Sequence, residues 1–269
     1  MLKAIFTILI LSFGIGLMLF FVSQNKSTDI TNTAPNKIIT VVNKGEPKYK
    51  IALFADSHTS YKNLQKAVDI SKNQGVDAIV HFGDITDFGE ESGFSKSKEI
   101  LDDSKIEYYV IAGDRDEVED GVVFDKYFSG KECMDNLLKD YGILCLHNSF
   151  NYTLLSKDYL NEFYSHLANA KIIFAAQPLY NPKSLVYMGY YDEKVKKQAD
   201  ALVRAINDSS VKYVIAADAH FYSKTTDKAT GIEHYTLGAL TNERNLQDPN
   251  FAILYIYEDG GVEVNQIYL

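Results

Sequence analysis

Short uninterrupted apolar runs recur along the chain, and between them apolar positions return every three or four residues. Ile51-Ala52-Leu53-Phe54-Ala55 has no polar position, as a strand covered on both faces requires. Asp77–Phe82, Ile106–Ala112, Lys171–Ala176 and Lys212–Ala217 read the same way and predict four more strands. Leu64, Ala67 and Val68 carry helical spacing. Val195, Ala199, Leu202 and Ile206 lie on one helical face, so Glu193–Asn207 is predicted as a helix with one apolar stripe. Alternating strands and helices imply an α/β fold whose sheet is covered by helices. Towards the C-terminus, Ile232–Leu237, Phe251–Tyr257 and Val262–Tyr268 predict strands with little helix between them, hence a mixed or second sheet.

A different pattern precedes this domain. Ala4 to Val22 carries no charge, and a helix of that length covers the roughly 30 Å of a bilayer core. A cleaved signal peptide is the rival reading, but the run ends Phe20-Phe21-Val22-Ser23-Gln24, without the small residues of a cleavage site. Residues 1–22 are therefore expected to form one transmembrane signal anchor. Lys3 and the terminal amine lie before the span, and Lys26 after it is offset by Asp29, which points the following domain to the extracytoplasmic side. Residues 23–47, rich in Ser, Thr, Asn and Lys and broken by Pro35, read as a flexible tether. Within them Ile38–Val42 could add an edge strand. The domain proper is expected over 48–269.

The net charge of −9 argues against a nucleic-acid surface, so no nucleic acid is expected as a partner. It leaves a phosphorylated substrate open, because bound cations would invert the local field. Two cysteines, Cys133 and Cys145, are too few for a disulfide framework. They are expected as two small buried thiols, with pairing possible in an oxidising compartment.

Five predicted strands end in polar or small residues: Asp56-Ser57-His58, Gly83-Asp84, Gly113-Asp114, Gln177 and Asp218-Ala219-His220. Loops after strand carboxyl ends form the ligand crevice of such sheets. Carboxylates and imidazoles gathered there would repel or stay unsatisfied without something cationic between them. The physical reading is a metal site for more than one ion.

In order and spacing these segments resemble the calcineurin-like metallophosphoesterases, whose motifs run D-x-H, G-D-x-x-D, G-N-H-D/E, a lone His, and G-H-x-H. The first two stand intact as Asp56-Ser57-His58 and Gly83-Asp84-Ile85-Thr86-Asp87. The third appears as Gly113-Asp114-Arg115-Asp116, the fourth as Gln177-Pro178-Leu179, and the fifth as Ala217-Asp218-Ala219-His220. Thr236–Leu240 resembles the strand and turn that close these domains. The resemblance spans about residues 48–269. It implies a sandwich of mixed β-sheets flanked by helices.

It also implies ligand sets. One divalent ion would take Asp56, His58 and His220, with Asp84 bridging to a second held by Asp114, Gln177 and Asp218. The second set replaces Asn, His and His with oxygen donors and adds negative charge. Two divalent ions are expected, among Mn, Mg, Fe, Zn and Ca, the second site favouring a hard one. Arg115 also stands in this position in the UDP-diacylglucosamine hydrolase branch, where the motif is G-N-R-D. It would hold a phosphate oxygen but is no ready proton donor. Arg115 and Asp116 are the candidate catalytic positions. Asp116, with Asp87, could instead brace the loops.

The implied activity is hydrolysis of a phosphomonoester or phosphodiester by a hydroxide that two metals activate. A non-catalytic metal-binding or assembly module on this fold, or a single-metal hydrolase, are the alternatives. His81, His147 and His166 carry no partner motif and read as structural or surface residues, while His234 and Arg244 flank the closing loop, where they could reach substrate.

Overall fold

The computed structural model describes residues 45–133, 141–150 and 152–269. The expected membrane span, the Ile38–Val42 patch and nearly all of the tether lie outside the described residues. Among the described residues no helix is long and apolar enough to cross a membrane.

Continuous apolar runs become strands buried on both faces. In β1 (Tyr49–Phe54), Ile51 and Leu53 face one way, Ala52 and Phe54 the other, and all four are buried. Parallel to β1 lie β2 (Ala78–His81) and β3 (Glu107–Val110). On its other side β9 (Asn250–Ile256) and β10 (Val262–Tyr268) add antiparallel strands, giving the order β10-β9-β1-β2-β3. A second sheet runs β4-β5-β6-β8-β7, from β4 (Ile143–Leu146), β5 (Ile172–Ala175), β6 (Tyr213–Ala216), β7 (Ser223–Thr226) and β8 (Glu233–Thr236). Only β7 is antiparallel there.

The sheets pack face to face through Ile51, Leu53, Val80, Phe82, Phe174, Ile215 and Leu254. Helices α1 (Tyr61–Gln74), α2 (Glu91–Ser104) and α3 (Val122–Phe128) cover the outer face of the first sheet. Helices α4 (Lys157–Leu167) and α5 (Glu193–Asn207) cover that of the second. The α5 stripe is the predicted one: Val195, Ala199, Leu202 and Ile206 are its buried residues, and the Asp192 carboxylate accepts from the N–H groups of Lys194 and Val195 at its start. The architecture is the expected α/β sandwich of two mixed sheets between helices.

Three features lie beyond the apolar pattern. Helix α2 buries Gly93, Ser97 and Ser104 beside Phe94, Ile100 and Leu101, so its inner face is partly small and polar. Strand β7 reads Ser-Lys-Thr-Thr and exists through its ladder with β8. Cys133 and Cys145, expected as free thiols, are joined in a disulfide with Cα atoms 6.0 Å apart. The Cys133 N–H donates to Val110 O at the edge of the first sheet, while Cys145 lies in edge strand β4 of the second. The bond therefore joins the two sheets inside their shared core. The sequence separation alone does not reveal that these two edges meet. Replacing both cysteines by Ala should lower stability by about 3 kcal/mol, the loop-closure value for a short loop. Urea midpoints under oxidising conditions would show it, and equal midpoints would refute it.

Candidate metal centre

Because β1, β2 and β3 are parallel, as are β5 and β6, their carboxyl ends deliver Asp56, Asp84, Asp114, Gln177 and Asp218 to one edge of the sandwich. The loops that carry them are tied to one another. Asp56 N–H donates to Gly83 O, His58 N–H to Asp84 O, and Thr241 N–H to Asp56 O. Arg115 N–H donates to Asp84 Oδ1 at 3.1 Å. Glycine is required where the β2 and β3 loops cross: a Cβ on Gly83 would strike the Gly113 backbone, and one on Gly113 would strike Asp84.

Left-handed backbone marks the same place. Among the described residues, Asp56, His58, Asp84, Asp218, His220 and Arg244 have φ between 42° and 65°, and only Thr59 and Lys105 share that region without glycine. Such conformations cost about 1–3 kcal/mol each and persist where the surroundings over-determine them, as ligand sites do. Arg244 joins the site residues by this criterion, a signal the sequence does not carry.

Asp56, His58, Asp84 and His220 present ligand atoms within 4.8 Å of one another. The Nε2 atoms of His58 and His220 face each other at 3.2 Å, which without an ion between them works only if one ring donates to the other. His58 Nε2 lies 3.5 Å from Asp84 Oδ2, and His220 Nε2 lies 3.9 Å from Asp56 Oδ1. Buried Asp56 Oδ2 has no hydrogen-bond partner among the described residues. Two imidazole lone pairs and an unpaired carboxylate oxygen around one point fit a divalent cation.

Asp84 also belongs to a second group with Asp114 and Asp218. A small cavity beside it is lined by Asp56, Asp84, Asp114, Asp218 and Gln177. The Gln177 amide nitrogen donates to Asn148 O, while its buried Oε1 has no hydrogen-bond partner. Asn148 fixes that orientation, donating to Gln177 O and accepting from Gln177 N–H. Carboxylates and an amide oxygen make a hard-donor set, which fits a divalent ion favouring oxygen.

The electrostatics agree with a cation. Burial, then the Asp218 charge, pushes the Asp56 carboxyl well above its ordinary range. Burial, then Asp56, does the same to Asp84, and burial with Asp114 raises Asp218 to about 7. Burial holds His58 down at about 3 and His220 at about 4, so both imidazoles are neutral at pH 7, the form that ligates metal.

Asp116 turns away from the reacting edge. Its carboxylate accepts from the N–H groups of Ile85, Thr86 and Gly113 and from the Thr86 hydroxyl. That geometry is a brace for both aspartate loops. Asp116→Ala would leave those buried N–H groups unpaired and should cost about 3 kcal/mol, measurable by urea denaturation. Asp87 Oδ1 lies 3.3 Å from His58 Nδ1 and Asp87 Oδ2 accepts from the Thr59 hydroxyl. His81, fully buried, lies 3.0 Å from Ser57 Oγ and accepts from Gly83 N–H. His147 bonds Cys133 O, and His234 packs on the Tyr180 ring. Neither lines the centre.

Sequence reasoning missed Asn148, Ser149 and Glu117. Ser149 donates to Glu117, whose carboxyl burial raises to about 7. The polar pair after the Leu144–Leu146 run was the available signal. Above the centre, Arg115 and Arg244 line an open cleft of about 320 Å³, whose lining also includes Asp84, Asp114, Asp218 and His220.

Two mixed sheets between helices, with aspartate and histidine gathered at their strand ends, define a metal-binding phosphoesterase fold. The chain belongs to the calcineurin-like phosphoesterase family, whose model matches residues 49–224. No curated protein sequence gives a match. Among solved structures, a dimetal phosphatase from Danio rerio superposes with a TM-score of 0.64 at 15% identity, covering 83% of this chain and 99% of its own. GAP50, the anchor in the inner membrane complex of Plasmodium, gives 0.57 at 15%, covering 83% and 90%. A purple acid phosphatase from yellow lupin (Lupinus luteus) seeds gives 0.55 at 15%, covering 84% and 54%. At these identities the similarity speaks for the fold alone.

Proposed function

We propose that this protein is a metal-dependent hydrolase of a phosphomonoester or phosphodiester, using two divalent ions. The observation that carries this reading is the shared Asp84, which joins the Asp56–His58–His220 group to the Asp114–Asp218 group. Divalent ions held there would supply Lewis acidity to the phosphoryl oxygens and acidify the attacking water. The remaining work falls to the chain. Arg115 N–H fixes the Asp84 rotamer. The Arg115 and Arg244 guanidinium groups, both lining the cleft, would hold the non-bridging oxygens and stabilise charge as it builds. Asp116 and Asp87 keep the loops and His58 in place.

Arg115 stands where a histidine would donate a proton to the leaving group. Turnover should therefore depend steeply on leaving-group acidity, with nitrophenyl esters exceeding phenyl esters by at least about a hundredfold, the lower range of a lost acid catalyst. Equal rates would show that another group donates that proton. The test of the main reading is metal content with turnover. Close to two ions bound, with hydrolysis lost on chelation and restored by Mn²⁺ or Mg²⁺, supports it; no turnover with any ion would overturn it.

The second reading is a non-catalytic module, favoured by the departures at Asp114, Gln177 and Asp218 and by a structural neighbour named as an anchor. Against it, every replacement keeps an oxygen facing the centre. We further place the domain on the extracytoplasmic side, tethered by its N-terminal segment, a reading that the Cys133–Cys145 disulfide supports because such bonds persist in oxidising compartments.

A further inference from the structure

The cleft above the centre is not uniformly polar. Beside Asp84, Asp114, Asp218, His220 and the two arginines, its walls include Val186, Ala219 and Leu246. Leu246 is 80% exposed and Leu185, next to Val186, is 62% exposed. Both come from segments that follow strand carboxyl ends, Leu185 after β5 and Leu246 after β8. The same holds for Phe88 after β2, Val118 after β3 and Tyr191 after β5, all exposed. Exposed apolar groups gathered around one functional edge mark an interaction site.

Charge and apolar surface thus meet in one opening. Arg244 is exposed, holds a left-handed backbone and has no hydrogen bond or ion pair among the described residues, although it stands beside the centre. An unpaired guanidinium at an anion-handling edge serves a ligand's anionic group. A purely polar ligand, such as a sugar phosphate, would leave Val186 and Leu246 facing water. A ligand with a phosphate head and an apolar body would cover them.

We propose that the ligand of this cleft is an amphiphilic phosphoester, its phosphate between Arg115 and Arg244 and its apolar portion along Val186 and Leu246. The proposal refines the phosphoesterase reading and rests on it for the chemistry, but its binding part can be tested separately.

The test is calorimetric titration of the full-length chain, in Mn²⁺, with alkylphosphonates from methyl to hexyl. Affinity is expected to rise about twofold per methylene, half the effect of full burial because the wall covers one side of the chain. That makes hexylphosphonate roughly thirtyfold tighter than methylphosphonate. The Leu246→Ser variant should flatten the series to less than about fivefold. Arg244→Gln should weaken every member by about tenfold and leave the slope intact. Equal affinities across the series, or an unchanged slope in the leucine variant, would overturn the proposal.

A parallel assay uses methyl and hexyl nitrophenyl phosphodiesters. Turnover without chain-length preference would sink the amphiphile and spare the phosphoesterase. A rising phosphonate series without turnover of either ester would keep the ligand class and sink the enzyme.

Discussion

Asp84→Asn is expected to lower phosphoester hydrolysis roughly a thousandfold or more, the several kcal/mol of transition-state stabilisation a metal pair supplies. Asp84 is the one side chain common to both ligand groups, so the change weakens both. The fold should survive it. Asn can still accept from Arg115 N–H, and the glycines that let the two loops cross are untouched. Without metal the variant should be more stable than the parent by about 1–2 kcal/mol, because a buried carboxylate facing Asp56, Asp116, Asp114 and Asp218 has been neutralised. Gain of stability with loss of activity separates a functional site from a structural ion pair. Lower stability in chelator, or retained turnover, would overturn the assignment.

The second large effect is a metal-dependent change in how stability responds to pH. Asp56, Asp84 and Asp218 have folded-state pKa values above the unfolded ones, so the folded state binds more protons. Stability in chelator must then fall as pH rises through those folded values. His58 and His220 act oppositely, since their lowered values make the unfolded state bind more protons below about pH 6.5. By about one unit above that pH their contribution is complete, and beyond it only the carboxylates still change.

Between pH 6.5 and 8 the chelated protein should lose about 2 kcal/mol. A divalent ion removes the repulsion and competes with the protons, so saturating Mn²⁺ should cancel or reverse the slope. At a hundredfold over its dissociation constant, each ion adds about 2.7 kcal/mol. Urea midpoints at the two pH values, with chelator and with Mn²⁺, read all of this. Identical slopes in the two conditions would mean that the carboxylate cluster holds no cation.

Much of the site was legible because its chemistry repeats a local pattern. An apolar run with no polar position, followed at once by Asp, marks a buried strand whose carboxyl end carries a functional group, and this recurs at Asp56, Asp84, Asp114 and Asp218. The α5 stripe was legible for a similar reason: its burial follows a short-range period. Residues whose role depends on partners far along the chain were not legible in this way. Asp116 has a motif position but a brace's geometry, fixed by N–H groups 30 and 31 residues away. Asn148 matters because its amide orients Gln177, 29 residues on. Neither relation leaves a periodic trace.

By itself the sequence determined the class of fold, through buried runs alternating with helical stripes, and the residue types available to hold a cation. It also determined the net negative charge, which argues against a nucleic-acid surface. The tertiary structure decided which groups come close enough to hold a common ion, through the crossing of the β2 and β3 loops at Gly83 and Gly113. It joined Cys133 to Cys145 by bringing together the edges of two sheets. It also placed Arg244 and Leu246 around one cleft. Those outcomes depend on long-range strand order and left-handed loop geometry, which arise when the two sheets pack and are encoded in no local stretch of the chain.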